Sequence, residues 1–364
     1  STVAAILHLG NVAFVASGDG CTVLTDGPDD PSEVGISAAS DLLWVEQSDL
    51  IEAMTYKTLQ VRGDKMSLPL THDKAIDARD AFAKVLYSRL FDWLVKRVNK
   101  AMTGSSGTAS RLVGCLDIFG FEIFEHNSFE QFCINFANEQ LQQHFNEEIF
   151  KSEQSLYERE GVVVPQILFI DNIDVLDAVE GKPSSIFSVL DEELVLPKSS
   201  DYGFIKRLGD RQASSKIFKA RLGERGRVVN HRFKDLEFRL VHYAGEVRYD
   251  VDGWLDKSKD AVSDNQVALI RQSRSSFVST ALLPETDGPP AADSGGRAAR
   301  YGRGPKRNNK VSLGKKFAAQ LRSLMDKIRK TKSHFVRCIK PNGGKKCDTF
   351  DAPLVMDQLR YCGV

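Results

Sequence analysis

Apolar positions step by three and four in some stretches of the chain and crowd into short unbroken runs in others, and the two patterns predict different elements. Between residues 71 and 103, Ala75, Ala78, Phe82, Val85, Leu86, Leu90, Leu94 and Val98 keep the helical step, with Thr71 able to cap. Such a helix would run roughly 45–50 Å at 1.5 Å per residue. The polar run TGSSGTAS at 103–110 ends it. Residues 112–118 (LVGCLDI) are a short apolar run between loops, the pattern of a strand buried on both faces, and a glycine-containing turn (FGFE) comes after it. No Pro or Gly interrupts 127–160, where Phe129, Phe132, Cys133, Phe136, Leu141, Phe145 and Ile149 share one stripe. That predicts a second long helix, ending at Gly161.

Beyond Pro165 the pattern is mixed. QILFI (166–170) reads as a strand, 186–194 as a short helix, and 238–249 as a hairpin broken at Ala244-Gly245. Residues 284–312 carry few large apolar side chains and many Gly, Pro and Arg, so a disordered loop or linker is expected there. A helix is predicted over 313–330, with Leu313, Phe317, Leu321, Leu324 and Ile328 on its apolar face, and HFVRCIKP (334–341) reads as a strand. Helices this long favour a mechanical, multi-part assembly over a compact small-molecule enzyme.

Composition narrows the class. The 364 residues hold 49 Lys+Arg against 49 Asp+Glu, which excludes a globally basic nucleic-acid binder. Apolar content of 42% and charged content of 27% are ordinary globular usage and exclude wholesale disorder. Six cysteines, several of them in apolar runs and none in a C-x-x-C pair, suggest buried thiols in a reduced, intracellular protein. The longest apolar stretch, 161–170, is too short to span a bilayer. The apolar opening, with neither a charged leader nor an initiator Met, suggests a piece of a longer chain.

The sharpest candidate for chemistry is Asp117-Ile118-Phe119-Gly120-Phe121-Glu122. An acidic residue at the end of a buried strand is where α/β nucleotide-binding sheets hold the magnesium shell, and a glycine three residues on lets a backbone N–H approach a phosphate. A plain strand–turn–helix with Asp117 as a cap satisfies the same residues. No G-x-x-x-x-G-K-[ST] loop occurs in the 364 residues, and the seven histidines show no metal-ligand spacing. Arg297, Arg300, Arg303, Lys306, Arg307, Lys310, Lys315 and Lys316 form a run of eight cations with no acid among them. It is either a solvated loop or a surface that captures an acidic polymer.

The stretch GCLDIFGFEIFEHNSFEQFCINFANEQLQQHFNEEIFKSEQSLYEREGV resembles the myosin motor domain. So do ARDAFAKVLYSRLFDWLVKRVN (78–99), LDEELVLPKSSD (190–201), VHYAGEVRYDVDGWLDKSKD (241–260) and HFVRCIKPN (334–342), in family order over almost the whole chain. The resemblance implies an α/β, P-loop NTPase-like motor core fragment, with long helices around a mixed sheet. It further implies an actin-based, ATP-driven motor using ATP and Mg²⁺, cytoplasmic and cytoskeletal. Light chains or calmodulin would bind only through a neck that this stretch does not contain, and neither membrane nor nucleic acid is an expected partner. The phosphate loop, the first switch and the converter are not matched, so the fragment alone is expected to be inactive.

By the same resemblance, 1–110 is part of the upper actin-binding subdomain, 111–165 the second switch with the relay helix, and 166–283 the lower actin-binding subdomain. Residues 284–312 are then the flexible basic loop, and 313–364 an actin-facing helix, a sheet strand and the start of the thiol-helix region. Asp117 would hold a water of the magnesium shell, the Gly120 N–H would sense the γ-phosphate, and Glu122 would pair with an arginine of the first switch; Ile118 and Phe119 complete the nucleotide-facing turn. Phe129, Phe132, Phe136, Phe145 and Ile149 would carry the relay. Asp64, sixteen residues before Asp80, matches the TEDS position. Leu194, Leu196, Pro197 and Lys198 would meet actin, as would the basic run from Arg297 to Lys316. So would Gln320, Arg322, Lys327, Arg329, Lys330 and Asn342. Val164 stands where the family usually has a tryptophan, and Tyr361-Cys362 departs from the usual position of the reactive thiol. Two other classes remain open: a stand-alone actin-binding module without ATPase activity, and nucleic-acid binding through the basic run.

Overall fold

The computed structural model describes residues 1–61, 64–102, 113–163, 171–181, 183–196, 198–221, 228, 234–258, 262–283 and 312–363. It divides into two compact units, residues 1–112 with 260–309, and 113–259 with 310–364.

The first unit opens with helix α1 (Thr2–Gly10) and the antiparallel hairpin β1 (Phe14–Ser17) and β2 (Gly20–Val23). Asp30 then starts α2 (Pro31–Leu43): its carboxylate accepts the Ser32 and Glu33 N–H groups at 2.8 and 3.3 Å, and Pro31 needs no partner at the first helical position. Helix α3 (Gln47–Thr55) leads into a second antiparallel hairpin, β3 (Tyr56–Val61) and β4 (Asp64–Pro69), and then to α4 (His72–Met102). The predicted first long helix is therefore present. Its buried residues, Ala75, Ala81, Phe82 and Leu86, lie in the first half; farther on, Trp93 packs edge-on against Phe277 at 4.9 Å, whereas Leu94 and Val98 are exposed.

The second unit contains α5 (Phe129–Phe145), a π-helical segment (Asn146–Lys151) and α6 (Ser152–Arg159). Next come α7 (Ile173–Glu180), α8 (Ile186–Leu194), α9 (Asp201–Arg211) and the antiparallel sheet β5 (Phe218–Ala220), β6 (Glu237–His242) and β7 (Gly245–Asp250). Helix α10 (Trp254–Ser258) comes after the sheet. The chain then supplies α11 (Asp264–Gln272) and α12 (Ser276–Ala281) to the first unit before returning with α13 (Leu313–Ile328) and α14 (Ala352–Tyr361). This differs from the expected 166–283 segment. Leu269, Ile270, Val278 and Leu282 are buried with Leu9, Ile36 and Leu50, and the Ser273 hydroxyl donates to the Leu43 carbonyl at 2.7 Å.

Aromatic rings fill the core of the second unit. Phe132 is fully buried, with ring centroids 5.1–5.6 Å from Trp254, Tyr249 and Phe187. Phe136, Phe204 and Phe238 are buried with it. Edge-to-face contacts of this kind add to the area that aromatics remove from water.

Two predicted strands are absent. Residues 113–118 and 334–341 form no strand, and Val113 and Val336 are 97% and 82% exposed. A strand is stabilised by its neighbours' hydrogen bonds and cross-strand side chains. No described residue supplies a ladder for either run, so 113–118 stays exposed, and 334–341 is held only by side chains such as Phe335. Leu112 and the predicted strand 166–170 lie outside the described residues, as does nearly all of 284–312. The predicted helices at 186–194 and 313–330 and the hairpin at 238–249 are found where the pattern placed them. Each has its own apolar face against the core.

Candidate functional site

Asparagines fold the turn after Asp117 onto the start of α5. The Glu122 N–H donates to Asn135 Oδ1 at 2.8 Å, and Asn135 Nδ2 returns a hydrogen bond to the Glu122 carbonyl at 2.7 Å. Asn138 Nδ2 donates to the Phe119 carbonyl at 3.1 Å. Asn127 accepts the Phe124 N–H at 2.8 Å, and its Nδ2 reaches the Phe124 and Arg248 carbonyls at 2.9 and 3.1 Å. Phe121 is the apolar pin: it is buried, its ring 5.1 Å from His242 and 5.4 Å from Tyr243. The main chain of 119–124 is thus clamped by side chains rather than by a sheet.

Asp117, Ile118, Phe119 and Gly120 stand exposed ahead of this clamp. A Cβ built on Gly120 meets no atom within 4 Å, so the backbone there is open to a ligand. A nucleotide phosphate with its magnesium ion would find here a carboxylate in solvent beside an unobstructed glycine, which suits one face of the group. No cluster of three or more acidic, His or Cys side chains occurs among the described residues, so Asp117 would contribute to a metal shell alone.

Along α5 the expected stripe is half right. Phe129, Phe132, Cys133 and Phe136 are buried, but the stripe then turns polar, with Glu139, Gln140, Gln142, Gln143, His144 and Asn146 buried in its place. Phe145 is only half-buried and Ile149 is 40% exposed. The π segment begins only at Asn146, so its wider turn bears on Ile149 and the residues beyond, while the change to polar side chains at 139–144 precedes it. Phe145 instead packs on Phe335 at 5.0 Å, with the Arg337 guanidinium 5.2 Å above its ring.

Burial sets the electrostatics. It pushes the Cys133 thiol up to about 12 and the Tyr243 and Tyr249 phenols well above their usual range. Burial likewise raises Glu180 and Asp201, although Arg322 faces the first and two backbone N–H groups bind the second.

The myosin head (motor domain) family model matches residues 1–364. The chain belongs to the myosin head family. It is 42% identical over 364 residues to the high molecular weight form of myosin-1 of Acanthamoeba castellanii, covering all of this chain and 21% of that protein. Identity to myosin-7 of Arabidopsis thaliana is 37% over 363 residues, all of this chain and 19% of the relative. To myosin-I heavy chain of Dictyostelium discoideum it is 38% over 364 residues, all of this chain and 14% of the relative. The chain therefore spans about a fifth or less of these curated relatives.

The residues expected from the sequence to meet actin are spread over both units. Asp64 opens β4 in the first. In the second, Lys315, Lys316, Gln320, Arg322, Lys327, Arg329 and Lys330 are all exposed on or just after α13. Two of these cations already face acids: Lys315 Nζ lies 3.2 Å from Asp191 and Arg322 Nε 3.4 Å from Glu180. Leu196 and Lys198 are exposed after α8, whereas Leu194 turns toward the core and Val195 beside it is 64% exposed. Asn342 is buried and folded into its own loop, its amide bonded to the main chain of Lys346 and Thr349. Its side chain has no free face for a partner. Pro197, Arg297, Arg300, Arg303, Lys306, Arg307 and Lys310 lie outside the described residues.

The sequence reading also missed Asn127, Asn135, Asn138 and Glu139. Their signal was present: Asn135, Asn138, Glu139 and Gln142 recur at helical spacing inside an aromatic stripe. A polar residue on a core face needs a partner, and that need marks it.

Proposed function

We propose that this chain is the actin-gripping and relay part of an ATP-driven, actin-based motor head. Its second switch is the segment from Asp117 to Glu122, and the relay helix runs through α5, the π segment and α6. One observation carries this reading: the backbone from Phe119 to Phe124 is bonded side chain by side chain to the first turns of α5. A shift of the turn cannot occur without moving those asparagines, and a close-packed aromatic core answers in discrete steps. Asp117 would hold the magnesium shell through water, and the Gly120 N–H would bond the terminal phosphate. When bound, the metal supplies charge neutralisation at the phosphate oxygens. The clamped main chain keeps the N–H aimed, so that no reorganisation is needed as charge develops. The surface after α8, the exposed cations of α13 and the basic run at 297–310 would meet actin's acidic surface.

Gly120→Ala tests this in a myosin head carrying the sequence. The added methyl meets no protein atom, so the fold tolerates it and only the phosphate is crowded. Hydrolysis should fall by roughly 10²–10³-fold, the cost of losing one such backbone donor, while fluorescent nucleotide still binds. Unchanged single-turnover hydrolysis would remove Gly120 from the role.

A further inference from the structure

Behind the clamp lies a buried polar chain whose hydrogens can be placed from the main chain outward. A backbone amide has one donor and one acceptor that cannot exchange roles. The paired bonds between Glu122 and Asn135 therefore fix which end of the Asn135 amide is oxygen. Its second Nδ2 hydrogen points to the Tyr249 hydroxyl at 2.9 Å. The phenol's own hydrogen then has His242 Nε2, also at 2.9 Å, as its acceptor. That nitrogen must carry a lone pair. The ring hydrogen consequently sits on Nδ1, donating to Glu139 Oε1 at 2.8 Å. The same carboxylate oxygen accepts the Tyr243 N–H at 3.1 Å, and Asn172 Nδ2 reaches the other.

We infer that Asn135, Tyr249, His242 and Glu139 form a proton-ordered link from the main chain at Glu122 to the β6–β7 hairpin, with His242 a positioning residue held as its neutral Nδ1–H tautomer. Asn135, Glu139 and Tyr249 are fully buried and His242 is 4% exposed, so bulk water offers no substitute partner. Any other proton placement aims a ring N–H at the Tyr249 oxygen and strands the phenolic hydrogen, which then bears the full desolvation cost of an unmade bond. The groups facing the ring are Phe121, Tyr249 and Glu139. At the far end Asn172 precedes α7, and Tyr243 begins the hairpin turn. Movement of Glu122 would thus unfix the hydrogen order along the whole chain. Its use in a motor rests on the second-switch reading; the order itself does not.

Nitrogen-15 spectroscopy of the histidines at neutral pH tests the order directly in the full 364-residue chain, with His242→Gln assigning the signal. A neutral Nδ1–H ring is expected. An Nε2–H ring or a doubly protonated one overturns the inference. Tyr249→Phe supplies a second test by hydrogen exchange: the Glu122 amide should exchange at least about tenfold faster, while the Phe124 amide, held by Asn127, stays within about twofold. Equal acceleration of both amides, or of neither, contradicts the link. If that variant does not fold, the wild-type spectrum still decides. Failure of the Gly120→Ala test would leave both measurements unaffected, so the two readings fall separately.

Discussion

At the scale of single residues, burial rather than sequence neighbourhood decides chemistry. Cys133 and Cys21 are buried and their thiols raised by desolvation, whereas Cys115, Cys338 and Cys347 are exposed. The expectation of generally buried thiols fails for a specific reason: Cys115 and Cys338 sit in the two apolar runs that find no strand partner. Because the thiolate is the reactive form, a thiol with a pKa of about 12 is ionised on the order of one part in ten thousand at pH 8. Brief maleimide labelling at that pH, followed by peptide mapping, should mark Cys115, Cys338 and Cys347 and spare Cys133. Labelling of Cys133 as fast as Cys347 would mean that the aromatic core opens on that timescale. Asn135 teaches the same lesson from the polar side. Its residue type was visible in the sequence, but its worth depends on Glu122 and Tyr249, thirteen positions before it and 114 after it.

Elements that carry their own apolar face were legible, and those that borrow it were not. Helices α8 and α13 and the hairpin β6–β7 follow from period and turn chemistry, with Gly245 taking a positive φ of 136° at the predicted break. Residues 112–118 and 334–341 read as strands because their pattern assumes neighbours, which spacing along one run cannot supply. The π segment was equally hidden, since no residue type announces a widened turn. It yields a prediction. Deleting Glu148 would restore the α-helical register and rotate α6 by about 100° relative to α5. No residue of α6 is buried, and Glu148 itself is exposed. The urea midpoint should therefore move by no more than about 1 kcal/mol in stability and far-UV helicity should persist. In a head carrying this sequence, filament gliding should stop while nucleotide turnover continues. A larger stability loss would show that the far end of the helix is part of the core and not a free lever.

For the whole molecule, zero formal net charge means that no global field draws this chain to an acidic filament. Under the proposed reading, attraction to actin would come from local patches. On α13, Lys315 and Arg322 spend part of their charge on Asp191 and Glu180, which leaves the six cations at 297–310 as the denser source. Their effect should be kinetic and screened, because surface charges steer encounter more than they hold a complex, and the Debye length is about 8 Å at physiological ionic strength. Replacing Arg297, Arg300, Arg303, Lys306, Arg307 and Lys310 with Gly and Ser should slow association with actin filaments roughly tenfold at about 20 mM salt and less than about twofold at about 0.3 M. Stopped-flow light scattering across a salt series would read both ends. An equal loss at both salts would assign those residues a contact role rather than a steering one. The apolar surface of Val195 and Leu196 should behave oppositely, since burying it against a filament is insensitive to screening. Leu196→Ala should therefore speed dissociation by a similar factor at low and high salt.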